Sequence, residues 1–469
     1  MQQSQPLGRL QGGTFHYQGC GCTGHLPLPL PALVDDAVVR AAPPHWPQLR
    51  IIYLLPHHNL TGGMKMLVQQ LVILTARGHH VVAAYRAQPS ATNARALPPW
   101  AAGAVRVAAE VLIPPSETYE LFLRRMRGSF DVCMVGYFTQ LVELDNFWGP
   151  LLYFEQGHEH LFGEGREAQL LQWDMLFHHT MLRAPVALAA VSDYTAETLA
   201  LQFGRRCSIV PNSIDCAAFF PPPGSPACEE AGPPSQHNGG GGGGVGCGDV
   251  GGRGMPWGAG CRVLLVGNPA QAFKGWDIAL QALSLVSQQL PSLHVTWICQ
   301  AQPQLTGVTF PVEFVVDPPQ EVLPAHYRAG HDVMLFTSRF EAWGMPVLEA
   351  MASGLAVVTS HCFGVEHFAR DRDNCRIVPS RDVQAVATAV LELLQDGATR
   401  ASLAYNGRQT ALRFTLERTG DALEDALART AAFFGGCSSP QALQRLQDAR
   451  GPVGPTLLAP SGLLPVARH

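Results

Sequence analysis

Short apolar runs alternate along the chain with segments whose apolar residues recur every three to four positions. Residues 50–55 form the first such run, and five positions after a polar loop carry Met64, Leu67, Val68, Leu71 and Leu74 on one helical face. Gly78 suits the position just past the end of that helix. Further strands are predicted at 81–85, 132–135, 151–154, 187–191 and 208–210. The scheme repeats later, with strands at 262–266, 294–299, 333–336, 356–359 and 376–378 and helices between them. Strand–helix–strand alternation implies a parallel sheet covered on both faces. The predicted fold class is therefore α/β, with two Rossmann-like, doubly wound domains facing a cleft. Ligands of such sheets bind at the carboxyl ends of the strands.

Composition sets the limits of the two bodies. Residues 1–48 are rich in Gly, Pro and Gln and show no periodicity. They hold no acidic residue before Asp35, as transit peptides do, but their few Arg and Ser favour a plain disordered extension. Residues 221–260 include six consecutive glycines, 239–244, and read as a flexible linker or insertion. Residues 437–469 read as a loose tail. The two bodies are thus expected at 49–220 and 261–436.

The formal charge of −5 argues against a nucleic-acid partner. No apolar run approaches the roughly 18 residues of a membrane span. A soluble, cytoplasmic protein is expected, with an organelle such as the plastid as the alternative if the extension is a targeting segment. The twelve cysteines are scattered, and Cys133 and Cys299 sit in apolar runs as reduced core residues. Adjacent histidines at 57/58, 79/80 and 178/179 do not share a face and make poor chelates. Asp371 and Asp373 form an Asp-x-Asp pair in a charged loop and read as solvated. No metal and no other cofactor is expected. Arg124, Arg125 and Arg127 read as a solvated helix end, with peripheral membrane contact the alternative.

The residues most charged with chemistry run from 341 to 349, Glu-Ala-Trp-Gly-Met-Pro-Val-Leu-Glu. The strand at 333–336 leads into this polar loop, and Pro346 suits the first turn of the helix that follows. Gly344 admits a close backbone approach, and the N–H groups around Met345, Pro346 and Val347 belong to a helix start, which attracts phosphate. Glu341 and Glu349 flank that turn. Two acceptor carboxylates beside a phosphate-attracting turn match a sugar on one side and a ribose on the other.

Residues 338–359 resemble the donor-binding region of glycosyltransferase family 4, and the resemblance extends over about 50–435. It implies the two-domain GT-B architecture, a nucleotide-activated sugar donor and retention of anomeric configuration. It gives Glu341 contact with the transferred sugar and Glu349 the ribose hydroxyls. Thr61-Gly62-Gly63-Met64 resembles the family's glycine pair, where Gly62 and Gly63 admit the donor phosphates and sugar. Pro211-Asn212-Ser213-Ile214-Asp215 resembles a segment before the interdomain linker, with a structural role. Lys274 matches the lysine that neutralises the donor diphosphate. The family's arginine about five residues earlier is replaced by Asn268, and Arg339 is the candidate to compensate. His158, with Glu155 as the alternative, matches a histidine near the anomeric centre.

The catalytic candidates are therefore Glu341 and His158. The donor-binding candidates are Gly62, Gly63, Lys274, Arg339, Gly344, Met345, Pro346, Val347 and Glu349. The partner is a nucleoside diphosphate sugar. The acceptor, whether glycan, lipid or small molecule, is not specified by the sequence. Two other readings stay open: a nucleotide-sugar-binding protein on the same fold with little or no activity, and a sugar-nucleotide epimerase.

Overall fold

The computed structural model describes residues 48–87, 95–101, 103, 105–144, 147–157, 168–228 and 261–436, with backbone alone at 168–174 and 436. The N-terminal extension up to residue 47, the glycine tract and the tail lie outside the described residues.

The first body contains β1 (Arg50–Leu55), α1 (Gly62–Ala76), β2 (His80–Arg86), β3 (Ala109–Ile113), α2 (Tyr119–Arg125), β4 (Val132–Val135), α3 (Phe138–Val142), β5 (Leu151–Glu155), α4 (Ala168–Arg183), β6 (Ala187–Ala190), α5 (Asp193–Phe203) and β7 (Ser208–Ile209). Its seven strands are ordered β3-β2-β1-β4-β5-β6-β7, and every pair is parallel. The second body contains β8 (Cys261–Val266), α6 (Trp276–Gln289), β9 (Leu293–Cys299), β10 (Val312–Val316), α7 (Leu323–Tyr327), β11 (Val333–Phe336), α8 (Met345–Ala352), β12 (Ala356–Ser360), β13 (Arg376–Val378), α9 (Val383–Gln395), α10 (Gly397–Ala411) and α11 (Leu416–Gly436). Its six strands are ordered β10-β9-β8-β11-β12-β13, again all parallel.

The central strands bury both faces, which is why their sequences are continuous apolar runs. In β1, Ile51, Tyr53 and Leu55 pack with Met64, Leu67 and Leu71 of α1 on one side. Ile52 and Leu54 pack with Tyr119, Phe122 and Phe138 on the other. Two strands, β3 and β10, were not predicted, and both lie at a sheet edge. Most of their residues are partly or fully exposed, and Glu110 and Glu313 interrupt the apolar pattern. Helix α1 begins at Thr61, whose side chain accepts from the Met64 N–H, and Gly78 follows its end at φ +87°. The basic end of α2 is paired within its own neighbourhood, Arg124 with Glu120 and Arg125 with Glu117.

The last helix corrects the division drawn from the linker. Although α11 lies within 261–436, it packs against α1, β4, β5 and β7 of the first body. Its buried residues Leu423, Ala426, Leu427 and Ala431 fall at helical spacing on one face. Arg77, just past the end of α1, reaches Asp421 at 2.8 Å and also pairs with Glu424, which receives His79 at 2.7 Å. The chain crosses between the bodies twice, and the crossings are stitched together. The Ile214 N–H donates to the Phe414 carbonyl at 2.9 Å and the Thr419 hydroxyl to the Pro211 carbonyl at 2.8 Å. This places the 211–215 segment where its structural role was expected. A third contact joins the bodies beside the crossings: Tyr194 stacks on Phe363, and Asp193 pairs with His367 at 2.8 Å.

Leu427 is fully buried under this arrangement. Leu427→Ala is expected to destabilise the protein by about 2–5 kcal/mol in chemical denaturation. A loss below about 1 kcal/mol would contradict the packing of α11 on the first sheet.

Candidate active site

In each sheet the strand order reverses at its middle, between β1 and β4 in the first and between β8 and β11 in the second. At such a point the loops leaving neighbouring strands diverge to opposite faces and open a crevice. The two crevices face each other. Together they form a cleft of about 940 Å³. Its first wall is His57, Thr61, Gly62, Gly63 and Lys65 after β1, Gly136 and Tyr137 after β4, and Gln156 after β5. Its second wall is Gly267, Asn268 and Lys274 after β8, Gln300 after β9, Asp317 and Gln320 after β10, and 340–346 with Glu349 after β11.

The centre of the second wall is an ion pair. Lys274 Nζ lies 2.5 Å from Glu341 Oε1, and both side chains are largely buried. The Ser338 hydroxyl donates to the same oxygen at 2.7 Å. Each partner is fixed by its loop. Lys274 ends a single 3-10 turn, and Gly275 follows at φ +68°. A Cβ on Gly275 would stand 2.2 Å from the Thr337 carbonyl oxygen, so only glycine lets the Lys274 loop close on the end of β11. Glu341 is held by its backbone: its N–H donates to the Cys362 carbonyl at 2.8 Å and its carbonyl accepts from Gly364 at 2.9 Å.

Glu349 sits one helical face deeper, on α8, and is almost fully buried. The Tyr327 hydroxyl donates to its Oε2 at 2.6 Å, and burial keeps that phenol protonated by raising its pKa well above the usual value. Its other oxygen, Oε1, faces Lys65 of the first body at 3.5 Å.

The structure therefore brings Gly62, Gly63, Lys274, Glu341, Gly344, Met345, Pro346 and Glu349 to one cleft. Gly62 has a negative φ and open space where a Cβ would stand, so room beside the cleft is what glycine provides there. Gly344 has another reason to be glycine: its φ is +86°, and a Cβ would lie 2.3 Å from Val365. The phosphate-attracting turn is narrower than expected. Pro346 has no N–H, and Val347 and Leu348 donate to the Gly344 carbonyl at 3.0 and 3.4 Å. Met345 is left as the donor this turn can offer.

Two candidates do not reach the cleft wall. Val347 is fully buried in the core beneath α8. Arg339 turns instead to Asp277 in the first turn of α6, 3.1 Å away, so it does not take the place of an arginine at 268. Asn268 does line the cleft, where its side-chain oxygen accepts from the Ala270 N–H at 2.9 Å. His158 lies outside the described residues. Its alternative, Glu155, is wholly buried behind the wall, bonded by the Tyr153 hydroxyl at 2.7 Å and the Gly157 N–H at 2.6 Å. Asp371 is engaged with the Ile377 N–H and Arg376 away from the cleft.

Lys65, Gln156, Asp317 and Gln320 join the site without having been singled out from the sequence, and His57, weighed there only as a metal chelate, joins them. Buried polar atoms of three of them, His57 Nδ1, Gln156 Oε1 and Gln320 Oε1, have no hydrogen-bond partner among the described residues. Such atoms suit a polar ligand. Burial also lowers the pKa of His57, which keeps the imidazole neutral at pH 7.

Comparison with known proteins follows the same lines. The architecture is GT-B. Sucrose-phosphate synthase from Thermosynechococcus elongatus superposes with a TM-score of 0.60 at 17% identity, over 80% of this chain and 96% of that one. Anabaena HepE in complex with UDP-glucose gives 0.59 at 15% identity, over 85% and 100%. Residues 260–396 match the family Glycosyl transferases group 1. A D-inositol 3-phosphate glycosyltransferase of Salinispora arenicola is 30% identical over 197 residues, 38% of this chain and 44% of the relative. A GDP-mannose-dependent alpha-(1-6)-phosphatidylinositol monomannoside mannosyltransferase of Mycolicibacterium smegmatis is 30% identical over 154 residues, 30% of this chain and 40% of the relative. The chain thus spans less than half the length of these curated relatives. No helix among the described residues is long and apolar enough to cross a membrane.

Burial pushes the Glu155 carboxyl up to about 7, against which hydrogen bonds from the Tyr153 hydroxyl and the backbone at Gly157 and Gln156 act only in part. An unfolded Glu titrates near ~4.3, so between about 4.3 and 7 the native state holds a proton that the unfolded state has lost. Stability must then fall as pH rises through that window. Glu155→Gln is expected to flatten this slope by up to about one proton in denaturation midpoints measured from pH 5 to 8. An unchanged slope would contradict the buried, proton-holding state of Glu155.

Proposed function

We propose that this protein is a retaining glycosyltransferase of family 4 that moves a sugar from a nucleoside diphosphate sugar to a hydroxyl of an acceptor, without a metal ion. The observation that carries the reading is the Lys274–Glu341 pair at the switch point of the second sheet, with the buried Glu349 beside it. The names of the relatives support the same class of donor, one being GDP-mannose-dependent and one binding UDP-glucose.

In this reading Glu349 Oε1 accepts from the ribose hydroxyls, and its Oε2 is already held by Tyr327. Glu341 orients the transferred sugar. The bond between the anomeric carbon and the diphosphate oxygen breaks, and the sugar becomes oxocarbenium-like. The electron pair stays on the leaving diphosphate, where Lys274 and the Met345 N–H stabilise the growing charge. The acceptor hydroxyl attacks from the face the diphosphate leaves. Its proton passes to the leaving phosphate oxygen, so configuration is retained and no protein base is required. The acceptor enters along the first wall, past Tyr137 and Gln156.

A panel of nucleoside diphosphate sugars, read by the rise in unfolding midpoint, identifies the donor. With that donor, Glu341→Gln is expected to lower transfer about a hundredfold or more, because the sugar loses its orientation while the fold persists. Full transfer by that variant would overturn the assignment. Conversion of the donor to an isomeric sugar with no acceptor present would favour an epimerase instead.

A further inference from the structure

The charges on the cleft walls do not match a diphosphate through Lys274 alone. Among the described residues lining the cleft, the ammonium groups are Lys65 and Lys274, and the carboxylates are Glu341, Glu349 and Asp317. Lys274 is already paired with Glu341 at 2.5 Å. Arg339 faces Asp277 off the wall, the Asn268 side-chain oxygen is bonded to Ala270, and the α8 turn offers one N–H. A nucleoside diphosphate sugar brings two further negative charges into this space. It needs a second cation, and the remaining one is on the other body.

We propose that Lys65 is a second diphosphate-binding residue, which leaves Glu349 for the donor's phosphates when donor binds and so clasps the two bodies across the ligand. This rests on the donor reading above and adds to it a residue of the first body. Three observations place it. Lys65 stands in the first turn of α1, two positions after Gly63, and the space over Gly62 is open for 4 Å around the position of a Cβ. Its stem is flexible and its side chain is 29% exposed, so the head group can swing without unpacking α1. Its present partner is the one oxygen of Glu349 that Tyr327 does not hold.

The partner matters as much as the cation. Ribose hydroxyls must bond the same Glu349 oxygen that Lys65 now faces. A nucleoside without phosphates competes with Lys65 and gives it nothing in return. A nucleoside diphosphate offers Lys65 a stronger site and takes over Glu349 in the same event. Lys65 thus favours phosphorylated ligands over bare nucleosides, and donor binding then depends on both walls at once.

Isothermal titration of the full chain with UDP, GDP, ADP and CDP, and with the four matching nucleosides, tests this. For the diphosphate that the wild type binds, Lys65→Gln is expected to weaken affinity about tenfold or more and to lessen its salt dependence. Affinity for the matching nucleoside should stay the same or rise. Lys65→Arg should recover most of the diphosphate affinity, which also controls for folding of α1. Diphosphate affinity within twofold of wild type, or equal losses for diphosphate and nucleoside, would overturn the assignment and leave Lys65 a structural partner of Glu349. If the wild type binds none of the four diphosphates, the donor reading itself falls, and that result is distinct from a failure of Lys65 alone.

Discussion

The short contact between Lys274 and Glu341 joins the two loops that leave the middle strands of the second sheet. Much of the local structure exists to bring these two side chains together. Gly275 lets one loop touch the Thr337 carbonyl, and Gly364 lets the other lie against residues 360–364. Thr337 ties the two loops by its hydroxyl, which bonds the Lys274 and Gly275 carbonyls. Burying an ion pair is costly unless further hydrogen bonds satisfy it, and Ser338 provides one. The pair is also a charge arrangement waiting to be redistributed. In the function proposed above, a diphosphate shares Lys274 while a sugar hydroxyl donates to Glu341.

The same logic extends across the cleft. Glu349 is held by Tyr327 on one oxygen and faces Lys65 on the other, so each wall contributes one cation while all three carboxylates, Glu341, Glu349 and Asp317, stand on the second wall. The stitched crossings at 211–215 and 414–419, with α11 packed back on the first sheet, hold the walls at this spacing. Electrostatics and topology therefore act together. The strand order opens the crevice, and the charged residues at the strand ends decide what fits it.

Much of this was legible in the sequence, for definite reasons. Strands such as 333–336 are buried on both faces, so they announce themselves as continuous apolar runs. Edge strands β3 and β10 carry Glu110 and Glu313 and lose that signal. Glu341 and Glu349 stand out because glycine and proline punctuate their loop, whereas Lys274 is singled out by the family resemblance. Lys65 was missed because nothing in Met64-Lys65-Met66 distinguishes a cleft lysine from a solvated one; its meaning comes from Glu349, 284 positions later. Arg339 shows the reverse: a cation in the right loop whose side chain is taken by Asp277. Helix α11 could not be assigned to the first body from its own pattern, since an amphipathic face does not name the surface it covers.

The central claim is that one nucleoside diphosphate sugar is gripped by both walls at once. Amide hydrogen exchange, followed with and without each of a panel of such donors that includes UDP-glucose and GDP-mannose, tests it most directly. The bound donor is expected to slow exchange both at residues 62–67 and at residues 345–349. Protection confined to one wall, or absent from both with every donor, would contradict it.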